Sequence, residues 1–540
     1  MSGLKVYQAM ARALAESGLG PMFGLVGDAN LYLVDSFVRE HGGRFLGAAN
    51  ESSAALMAIG YAALSGKVGL ASVTHGPAVS NTLTALIEGV KSFTPVVLLC
   101  GDTAFGDREN LQDIPQRELV IATGAGFEQV RSPATAVADL ARAVRRAQME
   151  RRPVALDIPT DMQHEVVPYE ACPLLVPPSP PKVAPAGDDL DNAVGILAAA
   201  RRPIVLAGRG AVDDEARAAL LRLARRLDAP LATTLKAKGL FRGQDGDLGV
   251  FGTLSTPAAV EAILKADCVI SFGASLTGYT TSHGAYLKGK RVVQVSPAAA
   301  DLGRWHVPDV GLIAGVAETV EAIVHWLDEA EVAPSGFRQE LSLDGAAALP
   351  VTGQARGGGR LDYVDALTRL DGMLPPDRVL VIDYGRFMVK ALQLIDVPHP
   401  RHLLHTGNSG SIGLGMSYAV GAGAAEPKRP VALFVGDGGF MLGGLAEFNA
   451  AARHGTDLIV VVCNDGSYGV EHMQLRAKGM DPGLVTFDWP DFAPLAQALG
   501  GHGVTVRNGA DLDRVGEAIA GGGRPLLIDL RLDPDHVPVY

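Results

Sequence analysis

VALFVGDGGFMLGGLAEFNAAARHGTDLIVVVCNDGSYGV, residues 431–470, decides how this chain is read. It spells a buried strand, a Gly-rich turn carrying one aspartate, a helix, a second buried strand, and a turn that opens with asparagine. In a parallel sheet both turns fall at the carboxyl edge, where α/β folds bind ligands. Asp437 and Asn464 can meet there as two oxygen ligands for one hard cation. The flanking glycines let backbone N–H groups approach a phosphate. Mg²⁺ takes few protein oxygens and fills its other positions with water and ligand phosphates, so the pattern describes a Mg²⁺–diphosphate anchor. Gly-Asp-Gly alone is common in turns. The strand–turn–helix–strand context is what favours the anchor over an ordinary turn aspartate.

Asp437 together with Asn464-Asp465-Gly466 resembles the cofactor motif of thiamine-diphosphate enzymes. The resemblance implies Asp437 and Asn464 as side-chain Mg²⁺ ligands and the Gly466 carbonyl as a third. A second, distant stretch, GRFLGAANESSAALMAIGYAALSGKVGLASVTHGPAVSNTLTALIEGVKSFTPVVLLCGD (43–102), resembles the pyrimidine-binding half of the same enzymes, with Glu51 between a strand and an Ala-rich helix. Thiamine becomes a nucleophile when its thiazolium C2 loses a proton. A partly desolvated acid against the aminopyrimidine ring promotes that loss, and Glu51 is the implied acid. The competing reading is a helix N-terminal glutamate held by the dipole.

In HTGNSGSIGLGMSYAVGAG (405–423), Ile412 matches the apolar wedge under the bent cofactor, and the Gly410 carbonyl matches the acceptor for its 4'-amino group. Ile412 also reads as a plain core residue. Gly438, Gly439, Ser467 and Gly469 are candidate diphosphate contacts.

On the substrate side, Asp28 in FGLVGDANLYLVDSF (23–37) stands where pyruvate-decarboxylase-type enzymes carry an aspartate. Glu471 in NDGSYGVEHM (464–473) lies near their proton-transfer glutamate, with one residue inserted. The adjacent histidine pair of that subgroup is missing. Gln112 in GDTAFGDRENLQDIPQRE (101–118) instead resembles the active-site glutamine of acetolactate synthases and benzaldehyde lyase. His75 stands where acetolactate synthases have serine. It reads either as a proton carrier near neutral pH or as a histidine bonded to local backbone. His283 sits near the position of an active-site histidine of benzoylformate decarboxylase, and it and His472 read equally as surface residues.

The chain of 540 residues has room for about three domains. Apolar residues make up 48% against 6% aromatics, with 65 glycines, which suits buried parallel sheets with tight turns. A net charge of −12 argues against nucleic acid or an anionic membrane as partner. Three of the four cysteines (100, 172, 268 and 463) lie in or beside apolar strand-like runs, and none shows metal-ligand spacing. This points to reduced thiols and a cytoplasmic setting. The first residues spell an amphipathic helix rather than a leader, and no run is long enough to span a membrane.

Two loose segments, Pro-rich 172–187 and Gly-rich 349–359, divide the text. Strand-like runs alternate with helical text in all three parts. This predicts three doubly wound parallel-sheet domains at 1–171, 188–345 and 360–540. They would be the pyrimidine-binding, central and diphosphate-binding domains of the resembled family. In that family the cofactor lies between subunits, implying a homodimer or a pair of dimers. The place of the flavin-contacting R-F-D-D-R run of acetolactate synthases reads SFGASLTGYTTS (271–282), so FAD is not expected.

The expected activity is making or breaking a carbon–carbon bond beside a carbonyl: decarboxylation of a 2-oxo acid, acyloin carboligation, or both. A lyase acting on 2-hydroxyacyl-CoA or a 2-hydroxy ketone is the alternative. The text after the last strand, ending DPDHVPVY (533–540), leaves little for a CoA lid. A silent cofactor-binding scaffold is more remote, since it would need no Glu51. No G-x-G-x-x-G or G-x-x-x-x-G-K-[ST] follows the strands, which sets aside a generic nucleotide binder.

Overall fold

The computed structural model describes residues 3–107, 109–176, 183–342, 347 and 361–538. The Gly-rich divider 349–359 lies outside these residues, as do 177–182 of the Pro-rich one. So do 343–345 and 360, at the ends of two expected domains.

Three six-stranded parallel sheets with helices form the chain. The first contains β1 (Met22–Gly24), β2 (Phe45–Gly47), β3 (Gly69–Val73), β4 (Val96–Asp102), β5 (Gly126–Gln129) and β6 (Val154–Pro159). Its order is β2-β1-β3-β4-β6-β5. The central sheet contains β7 (Pro203–Ala207), β8 (Leu231–Thr233), β9 (Asp247–Val250), β10 (Cys268–Phe272), β11 (Arg291–Ser296) and β12 (Val310–Ile313). Its order, β9-β8-β7-β10-β11-β12, is that of dinucleotide-type doubly wound sheets. The third contains β13 (Val379–Ile382), β14 (Leu403–His405), β15 (Val431–Gly436), β16 (Leu458–Asn464), β17 (His502–Val506) and β18 (Leu526–Arg531). Its order, β14-β13-β15-β16-β18-β17, repeats the pattern of the first sheet. A two-stranded antiparallel ribbon, Leu4–Lys5 with Val166–Val167, closes the first domain. No described helix is long and apolar enough to cross a membrane.

The strands in the middle of each sheet are short apolar runs buried on both faces, such as Val96–Gly101 and Leu458–Asn464. Helices on both sides of a parallel sheet require this. Five helices position the site: α1 (Glu51–Ser65), α2 (Leu83–Ser92), α3 (Gly415–Ala425), α4 (Leu445–Arg453) and α5 (Gly469–Ala477).

The first and third sheets form one compact unit, and the central sheet forms another. The seam within the first unit is α1 against α3. Both are Ala- and Gly-rich and buried nearly all round, as a helix inside a core must be. Backbone approaches backbone there. A Cβ on Gly60 would lie 2.4 Å from the Tyr418 carbonyl oxygen, and one on Gly421 2.0 Å from that of Met57. One continuous core follows, running from Phe23, Met57 and Leu98 to Val420, Leu433 and Val460.

Gly60→Val or Gly421→Val therefore overpacks this seam and costs about 1–3 kcal/mol or more, seen as a lower Tm. Gly195→Ala faces open space in the helix Asp188–Ala199 and is expected to be neutral or to stabilise by up to about 1 kcal/mol.

Candidate active site

β15 and β16 run parallel with Gly436 paired to Cys463, so the next register pair is Asp437 and Asn464. Both stand at the carboxyl ends of adjacent strands and are 2% exposed. The Asn464 amide nitrogen donates to Asp529 Oδ1 at 2.9 Å, which leaves its amide oxygen as an acceptor. Asp437 Oδ2 is buried with no hydrogen-bond partner. Burial, then the charge of Asp465, pushes the Asp437 carboxyl up to about 7, while the N–H groups of Gly438 and Gly466 pull it back. The Gly466 carbonyl accepts from Phe487 N–H at 2.7 Å and keeps a second lone pair. Among the described residues no three His, Cys, Asp or Glu side chains gather to hold a metal. One unpartnered carboxylate, one amide oxygen and one carbonyl instead fit a hard, largely hydrated cation.

The turn after Asn464 is pinned by Asp465. Its Oδ1 accepts from the Ser467 N–H at 3.0 Å and from the Ser467 hydroxyl at 2.7 Å. Its other oxygen pairs with the nearly buried Arg386. Both polar donors of Ser467 are thus engaged within the turn. Gly469 opens α5 tight against Arg386, whose Nε would meet a Cβ there at 2.7 Å. Gly438 and Gly439 begin the run Asp437–Gly439, which continues through a π turn, Phe440–Gly444, into α4. Such turns recur at functional sites.

Two buried carboxylates hold the loop carrying Gly410 and Ile412. Asp383, at the carboxyl end of β13, accepts from Thr406 Oγ1 at 2.6 Å and from Gly413 N–H at 2.9 Å. Burial raises its pKa. Glu88 on α2 is fully buried and accepts from Asn408 Nδ2 at 2.6 Å and Ser409 N–H at 2.8 Å. Between these anchors Gly410 is exposed with φ +79°, and Ile412 is only half-buried.

Glu51 is the first residue of α1, which Asn50 caps by accepting from Ser53 N–H at 2.9 Å. Glu51 Oε2 accepts from Asn81 Nδ2 at 3.0 Å. Fully buried Glu447 of α4 reaches the same helix start, where its Oε1 accepts from Ala49 N–H at 2.9 Å. Burial raises the Glu447 pKa.

The structure brings Asp28, His75 and Gln112 into one neighbourhood. Thr74 Oγ1 donates to Asp28 Oδ1 at 2.8 Å, and His75 Nδ1 lies 3.9 Å from the same oxygen. Gly76 has φ +63°, and a Cβ on it would lie 2.1 Å from the Gln112 carbonyl oxygen, so the turn requires glycine. From beneath, buried Gln116 accepts the Gly76 N–H at 2.6 Å and donates to Asp157 Oδ2 at 2.9 Å. Glu471 is exposed in the first turn of α5, and no hydrogen bond or ion pair of the described residues joins it to Asp28, His75 or Gln112. His472 beside it is buried, with Nε2 3.7 Å from Asp535. His283 belongs to the central unit, near Tyr279. Sequence reasoning missed Glu88, Asp383, Glu447 and Gln116. For the three acids the only sequence signal is a polar residue inside apolar text or at a strand end, and Gln116, in polar text at the start of a helix, has none.

The N-terminal TPP binding domain of the thiamine pyrophosphate enzymes matches residues 4–123, the central domain 190–323, and the C-terminal TPP binding domain 383–530. The chain belongs to the thiamine pyrophosphate enzymes. An acetolactate synthase of Mycobacterium leprae is 26% identical, covering 98% of this chain and 87% of that one. A sulfoacetaldehyde acetyltransferase of Rhodobacter capsulatus is 28% identical, covering 98% and 94%. A probable 2-ketoarginine decarboxylase of Pseudomonas aeruginosa is also 28% identical, covering 97% and 93%. Glu51 in the N-terminal match and Asp437 in the C-terminal match fall in the same compact unit.

Asp157 supplies a pH test of this architecture. Burial, then the charge of Asp102, pushes its carboxyl up to about 7. The folded protein thus holds this proton more tightly than the unfolded chain, and the resulting stabilisation is lost as pH rises from about 4 through 7. Asp157→Asn removes that dependence. Relative to the parent it gains stability at pH 8 over pH 5, by on the order of 2 kcal/mol, measured by denaturant unfolding at both pH values.

Proposed function

We propose that this protein is a thiamine-diphosphate- and Mg²⁺-dependent enzyme that decarboxylates a 2-oxo acid, joins the resulting acyl unit to a second carbonyl, or does both. The observation that carries this reading is Asp437. Its buried, unpartnered carboxylate oxygen beside the Asn464 amide calls for a cation, in a domain of the TPP-binding type. The names of the relatives span synthase, acetyltransferase and decarboxylase, which supports carbon–carbon chemistry at a carbonyl without selecting one outcome.

When bound, thiamine diphosphate supplies a carbon nucleophile and an electron sink. The chain's residues do the rest. Asp437, Asn464 and the Gly466 carbonyl hold Mg²⁺. Gly438, Gly439 and Gly469 offer backbone N–H groups to the diphosphate, and Ser467 contributes only by exchanging a bond it makes to Asp465. The Gly410 carbonyl would be an acceptor for the coenzyme's amino group, and Ile412 would supply the apolar wedge. Glu51, oriented by Asn81, would hold the proton at the coenzyme's ring. Asp28, His75 and Gln112 polarise the substrate and move its protons, with Glu471 contributing from α5. Exposed Leu442, Met480 and Leu484 in the third domain support a homodimer, alone or paired, that covers them. Three buried cysteines, none in a disulfide, support a cytoplasmic setting.

In calorimetry, apo-protein takes up thiamine diphosphate only with Mg²⁺, and Asp437→Ala or Asn464→Ala abolishes uptake. Glu51→Gln keeps uptake and loses about 10²–10⁴-fold in kcat. Pyruvate and benzoylformate, each with and without an acceptor aldehyde, test the substrate class. Absence of both CO₂ and acyloin from every 2-oxo acid tried contradicts it.

A further inference from the structure

The turn Thr74-His75-Gly76 constrains its protons. The Thr74 hydroxyl has one proton, and it is directed to Asp28 Oδ1 at 2.8 Å. Asp28 has no proton to return: the Thr74 hydrogen bond, followed by the Ala29 N–H, holds its carboxyl below the usual range. The Ala29 N–H also lies 3.3 Å from Thr74 Oγ1. Toward His75 Nδ1, 3.3 Å away, the hydroxyl oxygen can therefore only accept. A neutral imidazole carries one proton, and which nitrogen holds it is set by the bond the other makes. Nδ1 then holds the proton and Nε2 holds the lone pair. His75 is 2% exposed, and Nε2 is buried without a hydrogen-bond partner. An unsatisfied buried acceptor costs about 1–3 kcal/mol, a cost that a ligand donor relieves.

We propose that Thr74, oriented by Asp28, is a positioning residue that fixes His75 as the Nδ1–H tautomer and so makes Nε2 the base of the substrate pocket. The hydroxyl of a bound 2-hydroxy ketone, the product of carboligation and the substrate of its reversal, gives its proton to Nε2, and its oxygen keeps the electron pair. That O–H bond breaks, an N–H bond forms, and the imidazolium keeps its Nδ1–H on Thr74. The charged groups facing His75 are Asp28 and Asp102, and Asp113 lies beyond Asp102. The Gly76 N–H is held by Gln116, so the turn is braced while the ring changes charge. This inference rests on the reading that a carbonyl substrate is turned over beside the turn.

The test has two arms on the full-length protein. In ¹⁵N-histidine-labelled protein, with His75 assigned by its loss in His75→Gln, the neutral ring is the Nδ1–H tautomer. In Asp28→Ala, the freed Thr74 proton turns to Nδ1 and the ring becomes Nε2–H. An Nε2–H ring in the parent, or an Nδ1–H ring retained in Asp28→Ala, overturns the proposal. In the second arm, kcat for cleavage of acetoin or benzoin falls about 10²-fold or more in Thr74→Val, with KM and Tm little changed. Thr74→Ser stays within a few-fold of the parent. Equal kcat in Thr74→Val and the parent also overturns it. A parent that cleaves neither acyloin refutes the substrate reading alone, because the tautomer is read without turnover.

Discussion

A carboxylate cannot be taken out of water without compensation, and Asp437 is taken out of water with one oxygen facing no donor. Burying an unpaired charge costs several kcal/mol, and the protein partly avoids this by raising the Asp437 pKa to about 7. The N–H groups of Gly438 and Gly466, with the Trp489 indole, offset it only in part. Asp465 adds a second negative charge, and Arg386 is committed to Asp465. The Asn464 amide nitrogen, which could have donated to Asp437, is turned to Asp529 instead. The unpartnered Oδ2 in this position is the basis for proposing a cation there. The register of β15 on β16 follows the same requirement, because a one-residue slip would separate Asp437 from Asn464.

The same strategy recurs around the site. Asp383, Glu88 and Glu447 are buried acids that accept hydrogen bonds from loop and helix-start N–H groups. Glu88 and Glu447 each join the first domain to the third, so the loop bearing Gly410 and the helix start bearing Glu51 are set by contacts between domains. The close approach of α1 and α3 at Gly60 and Gly421 brings those acids within reach of their partners. The precision of the site thus depends on packing that contains no cofactor-binding residue.

The sequence made the inner strands legible because each is a continuous apolar run. It hid the outer ones. β2, β5, β14 and β17 are edge strands with partly exposed patterns, and β8, β9 and β12 are short strands toward the rims of the central sheet. The motif residues Asp437 and Asn464 were readable because chemistry fixes their place relative to strand ends. Ile412 reads in the sequence as a core residue or a wedge, because a branched apolar side chain in Gly-rich text fits both, and the fold leaves it partly exposed. Gln116 went unnoticed while Gln112, four residues away, carried the motif. Only the fold shows that Gln116 meets Gly76 through its side chain and Gln112 through its backbone. The buried acids were hidden for a related reason: the partners of Glu88 and Glu447 lie in another domain, several hundred residues away in the chain.

The most direct measurement is anomalous diffraction from crystals grown with thiamine diphosphate and Mn²⁺ in place of Mg²⁺. The account predicts a single strong peak per chain, coordinated by Asp437 Oδ2, the Asn464 amide oxygen and the Gly466 carbonyl. No peak there at full coenzyme occupancy, or a metal bound elsewhere while Asp437 Oδ2 stays unpaired, would contradict it.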